Sequence, residues 1–94
     1  MALGNSAIET ARQTMGHIES ANSSIQNDAQ TFSYIMSNGE FTKFASDTSF
    51  GTETQEKMRK ALEGISKFGD NISTLQSRTE AFLEKQQSLN NTHY

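Results

Sequence analysis

The sequence predicts an all-α chain: an antiparallel two-helix hairpin that assembles into a four-helix bundle. Three observations predict it. Apolar residues recur at alternating spacings of three and four along two long stretches. Proline is absent from the whole chain. The break between the two stretches carries a Ser-Asn-Gly turn signal.

The first stretch reads as a helix over 6–36. Ile8, Ala11, Met15, Ile18, Asn22, Ile25, Ala29, Phe32 and Met36 form a heptad stripe with one polar member, Asn22. Asn22 either sets register and partner choice or sits solvated at the edge of the seam. Ser6-Ala7-Ile8-Glu9 fits a capping box, with Ser6 as N-cap and Glu9 reaching back.

The helix should stop at Ser37, Asn38 and Gly39, because Asn and Gly tolerate the left-handed conformation that commonly ends a helix. Residues 37–51 then form a bend and linker. That linker holds Phe41, Phe44 and Phe50. Phe41 and Phe44 are spaced to share one face of a helical turn. The three rings either cap the end of the bundle core or form an exposed patch that docks another protein.

The second stretch reads as a helix over 52–89, with a polar tail over 90–94. Its stripe is Met58, Ala61, Ile65, Phe68, Ile72, Leu75, Thr79, Phe82, Gln86 and Leu89. Sixteen of the nineteen stripe positions are apolar in a chain that is 33% hydrophobic, which favours ordered helices over the disorder that its many Ser, Thr, Asn and Gln residues would otherwise suggest. Thr52-Glu53-Thr54-Gln55 fits a second capping box, and Glu53/Lys57, Glu56/Lys60 and Glu63/Lys67 are spaced for i,i+4 ion pairs. Gly16, Gly64 and Gly69 lie inside the predicted helices, where each either admits a close neighbour or is tolerated on the surface.

Two features carry the hairpin toward a bundle. Two helices alone make a single thin layer with nothing over it. Ala7, Ala21, Ile35, Leu62 and Leu83 also widen the stripes beyond a two-helix seam. At 94 residues the chain is one domain whose partner-binding stripe is Ile8, Ala11, Met15, Ile18, Ile25, Phe32, Ile65, Phe68, Ile72 and Leu75.

The chemistry expected of the chain is sparse. There are no cysteines and two histidines, His17 and His93, so no metal site, cofactor or catalytic residue is expected. A net charge of −3, with the short basic run at 57–60 balanced by flanking glutamates, argues against a nucleic-acid partner. No segment has the length and apolarity of a membrane span, and no cleaved signal peptide is read at the N-terminus. No small-molecule substrate is expected either.

With these features in hand, the chain resembles the WXG-type (ESAT-like) small proteins of type VII secretion. The shared features are a cysteine-free chain of 94 residues, a helix–bend–helix pattern, a glycine at the bend and no cleaved signal. Ser37-Asn38-Gly39 stands where that family has Trp-x-Gly, with the glycine kept and the tryptophan absent. The family's export signal is an aromatic, three residues, then an acid. Phe82-Leu83-Glu84-Lys85-Gln86 is similar, with Phe82 for tyrosine and Gln86 for the acid. In size and polarity the chain looks like the divergent branch encoded beside LXG-domain toxins in Gram-positive bacteria. That resemblance implies a protein partner: the helical LXG domain of a toxin, which the chain would help target to the secretion machinery, or another WXG-like hairpin in a homo- or heterodimer. It also implies a bacterial cytoplasmic protein before export, with secretion through the type VII route. The rival expectations are a self-associating secreted homodimer without a toxin client, and a cytoplasmic coiled-coil adaptor or structural protein.

Overall fold

A chain without proline meets no obligatory break in its helices, and the computed structural model, which describes residues 2–91, is helical nearly throughout. All regular structure among the described residues falls in three helices: α1 (Asn5–Met36), α2 (Gly39–Asp47) and α3 (Ser49–Asn91). The fold is all-α. The segment over 37–51, expected as a bend and linker, is mostly helix, and α3 begins at Ser49 rather than at 52.

The helix ends explain these differences. At the start of α1, Ile8 N donates to Gly4 O at 3.1 Å. The first helical turn therefore closes on Gly4, and Ser6 lies inside the helix instead of capping it. At the end of α1, Ser37 N is shared between Ser33 O and Tyr34 O, and Asn38 N donates to Ile35 O at 3.0 Å. The last carbonyls are satisfied by tightening the final turn, not by a left-handed residue. No described residue, glycine or otherwise, has positive φ.

Asn38 instead starts the next helix. It is extended (φ −65°, ψ 139°), and its Oδ1 accepts from Glu40 N at 2.9 Å, the geometry of an N-cap. Thr48 has the same role for α3. Its backbone is extended, its Oγ1 accepts from Gly51 N at 2.8 Å, and its carbonyl accepts from Thr52 N at 3.0 Å. Thr52, expected to be the cap, falls one turn inside α3 and donates its hydroxyl to Thr48 O at 3.1 Å.

The described chain forms two units. The first combines residues up to Asn22 with those from Asp70 onward. Within it, the α1 and α3 segments run in opposite directions. Leu3 N donates to Gln86 Oε1 at 2.9 Å, Arg12 pairs with Glu80 at 3.0 Å and with Gln87 Oε1 at 3.1 Å, and Gln76 Nε2 donates to Met15 O at 3.4 Å. Ile8 and Leu83 are the buried apolar side chains of this unit among the described residues. Asn90 and Asn91, expected in a tail, are helical, and Asn90 Nδ2 donates to Leu3 O and to Asn5 Oδ1. Residues 92–94 of that expected tail lie outside the described residues.

The second unit is Ser23–Gly69. Gln26 Nε2 donates to Ile65 O at 2.9 Å and joins α1 to α3. At the other end, Ala45 and Gly51 are buried where α2 meets the start of α3. A Cβ on Gly51 would lie 2.8 Å from Thr48 Oγ1 and closer still to Phe44 O. This is the glycine that close approach requires. Gly39, the glycine of the expected turn, has open space around it, as do Gly16 and Gly64.

Candidate protein-binding surface

Along α3 the expected stripe divides into two sets with different fates. Met58, Ile65, Ile72, Thr79 and Gln86 are half-buried, as the heptad pattern predicts. Ala61, Phe68, Leu75, Phe82 and Leu89 are exposed. In their place the next residue along, at each step, turns inward: Leu62, Gly69, Gln76, Leu83 and Asn90 are half-buried or buried. In the inner line Gly69 allows close approach, Gln76 and Asn90 reach main-chain oxygens opposite, and Leu62 and Leu83 supply apolar packing. The outer line holds the bulk. Phe68, Leu75, Phe82 and Leu89 are 45–52% exposed, against 2% for Leu83.

In the unit built from the chain ends, this leaves two unlike faces. One carries the Arg12–Glu80 pair and an open hollow lined by Arg12, Met15, Gly16, Glu19, Gln76 and Glu80. The other carries Leu75, Phe82 and Leu89 on α3, with Ala11 and Ile18 of α1 half-buried. The expected export pair is split between environments: Phe82 points outward, whereas Gln86 is half-buried and held by Leu3 N.

In the Ser23–Gly69 unit, Ile25, Asp28, Ala29 and Phe32 of α1 and Ala61, Leu62 and Ile65 of α3 line an open groove of about 320 Å³. Ile25 and Phe32, both expected in the stripe, are partly exposed along it. Phe41 and Phe44 of α2 have ring centroids 6.1 Å apart, and Phe44 meets Phe50 of α3 edge-on at 6.4 Å. Phe41 is half-buried, while Phe44 and Phe50 are exposed, Phe50 the more so. Ser37, Asn38 and Gly39 are exposed at the α1–α2 junction.

The charged side chains over 53–63 of α3 are exposed. Glu53 pairs with Lys57 at 3.1 Å, as spaced. Arg59 takes both Glu56 and Glu63, the acids expected to reach Lys60 and Lys67. The hydrogen bond from Arg59 holds the Glu56 carboxyl below its ordinary range, and the same bond raises the guanidinium. His17 is exposed, and His93 lies outside the described residues. No group of three His, Cys, Asp or Glu side chains among the described residues comes together as a metal site, and no described helix is long and apolar enough to cross a membrane. What this surface offers chemically is apolar area and charge, presented on helices.

No protein-family model, curated protein or solved structure matches the chain.

Proposed function

We propose that the chain is a non-catalytic binding protein that lays its exposed apolar faces against long helices of a protein client. The observation that carries this reading is surface. The chain exposes 7073 Å², whereas a globular protein of 10.4 kDa exposes about 5,400 Å². The excess, about 1,700 Å², is roughly twice what one partner contributes to a standard-size protein interface. Among the described residues only Ile8, Ala45 and Leu83 form a buried apolar core. Fully burying a Phe or Leu side chain is worth about 1.5–3 kcal/mol, and covering these half-exposed ones gains roughly half of that each, so a partner helix over these faces supplies what the chain lacks by itself.

The resemblance to WXG-like proteins gives this partner its class. The chain is a helical hairpin that binds the helical LXG domain of a type VII toxin, completes a four-helix bundle with it and helps target it for export. Phe82 stands free on the surface as that reading of the export segment requires. Co-expression with an LXG domain followed by size-exclusion chromatography and light scattering tests it. The expected result is a stable heteromeric complex that Phe68→Asp and Phe82→Asp weaken. A chain that elutes apart from LXG domains at all concentrations overturns the reading.

The same exposed area supports a second reading, a self-associated hairpin pair that is itself secreted. A stable homodimer of the purified chain, unmoved by an LXG domain, favours it.

A further inference from the structure

We infer that the apolar face of the chain-end unit selects an amphipathic helix flanked by carboxylates. This rests on the client-docking reading above and adds the client's charge. The ridge on α3 is Leu75, Phe82 and Leu89, spaced by seven and exposed. On a helix, the surface neighbours of each ridge residue are those three and four positions away. Within the described residues these are Asn71, Ile72, Arg78, Thr79, Lys85 and Gln86, and none is acidic.

Arg78 lies three residues after Leu75 and four before Phe82. Lys85 lies three after Phe82 and four before Leu89. The two cations thus interleave with the ridge along its outer rim, both exposed. Among the described residues neither has an ion-pair partner. The carboxylates of the same α3 segment stand elsewhere. Asp70, Glu80 and Glu84 occupy other positions of the heptad, and Glu80 is engaged by Arg12.

The apolar face is therefore rimmed by positive charge on a chain whose net charge is −3. An incoming helix that buries Leu75, Phe82 and Leu89 brings its own flanking residues over Arg78 and Lys85. Carboxylates there gain two cations in a partly dehydrated rim, and lysines there meet like charge. The alternative occupant, a second copy of the chain, presents the same cationic rim in its own chain-end unit and is less well matched.

The test uses the full chain and two designed peptides about three heptads long, long enough to form a helix on docking. Both carry the same leucine stripe; one is flanked by glutamates and the other by lysines. Fluorescence anisotropy at low salt should give roughly tenfold or greater preference for the glutamate peptide, with the gap narrowing as salt screens it. Overall charge would favour the lysine peptide, so this preference can arise only locally. Arg78→Glu with Lys85→Glu should invert it, and Phe82→Asp should abolish binding of both peptides. Both substitutions alter exposed side chains, and circular dichroism checks that the helices persist. Equal affinity for the two peptides, with Phe82→Asp still abolishing binding, overturns the charge selection and leaves the docking face standing. Binding unaffected by Phe82→Asp, or no binding of either peptide, overturns both. A homodimer that excludes the peptides and is broken by Phe82→Asp assigns the face to a second copy and overturns the inference.

Discussion

Gln26 donates its side-chain amide to the main-chain carbonyl of Ile65 at 2.9 Å, and that reach passes directly over Gly69. A Cβ on Gly69 would lie 2.7 Å from Gln26 Nε2, whereas Gly16 and Gly64 face open space. The three helical glycines therefore differ in kind.

Alanine at Gly16 or Gly64 should stabilise the chain by about 0.5–1 kcal/mol, the ordinary helix gain. Alanine at Gly69 has the same gain but displaces the Gln26 bond, worth about 0.5–1.5 kcal/mol, so its net effect should be near zero. In a Gln26→Ala background the gains at Gly64 and Gly69 should converge. Thermal unfolding followed by circular dichroism reads all of these. A Gly69→Ala chain as stabilised as Gly64→Ala with Gln26 present would refute the account.

Gly51 and Gly39 should respond in opposite directions. Gly51→Ala drives a methyl group into Phe44 O and Thr48 Oγ1, both at the junction of α2 and α3. Overpacking of this kind costs about 1–3 kcal/mol. Gly39→Ala meets open space at an ordinary helical backbone and should be neutral or stabilising. Denaturant midpoints for the two variants measure the contrast, and a destabilised Gly39→Ala would mean that the bend does need its glycine.

Leu83 and Phe82 are adjacent and have separate duties. Leu83→Ala empties a site that is 2% exposed and should cost about 2–5 kcal/mol of stability. Phe82→Ala should change the stability of the isolated chain by less than about 1 kcal/mol, since the ring is half in water already. Its loss should show in partner binding instead. Unfolding and binding measured on the same two variants separate the roles. Equal destabilisation by both would mean that the ridge belongs to the core.

Acid should weaken the chain partly through Glu56. Its carboxyl is held below the ordinary range by the hydrogen bond from Arg59. A group whose folded value is depressed adds stability that is present above its unfolded value and drains away as pH falls through the folded one. Glu56→Gln should therefore flatten the acid limb of a melting-temperature profile. The effect is small because the pair is solvated, and salt should shrink it further. Identical acid limbs for both chains would remove Glu56 from the explanation.

Much of the helical architecture was legible because its cause is periodic. Met58, Ile65, Ile72, Thr79 and Gln86 turn inward as their spacing predicts. What the pattern did not resolve was which neighbouring line accompanies them. Apolarity pointed to Phe68, Leu75 and Phe82; close approach favoured Gly69, Gln76 and Leu83. When a stripe is wider than the seam it faces, hydrophobic spacing alone leaves a rotation of about one residue open. The caps were misplaced for a related reason. Ser6 and Thr52 both begin plausible capping boxes, but Gly4 and Thr48 already close a turn upstream and nothing between forbids helix. The expected helix stop at Ser37-Asn38-Gly39 coincides with the α1–α2 junction, but Asn38 acts there by its side chain, not by a left-handed backbone.

Gln76 grips the carbonyl of Met15 as Gln26 grips that of Ile65. A main-chain oxygen is present whatever amino acid carries it. Substitutions at Met15 and Ile65, whatever they cost in packing, should therefore leave each glutamine its acceptor.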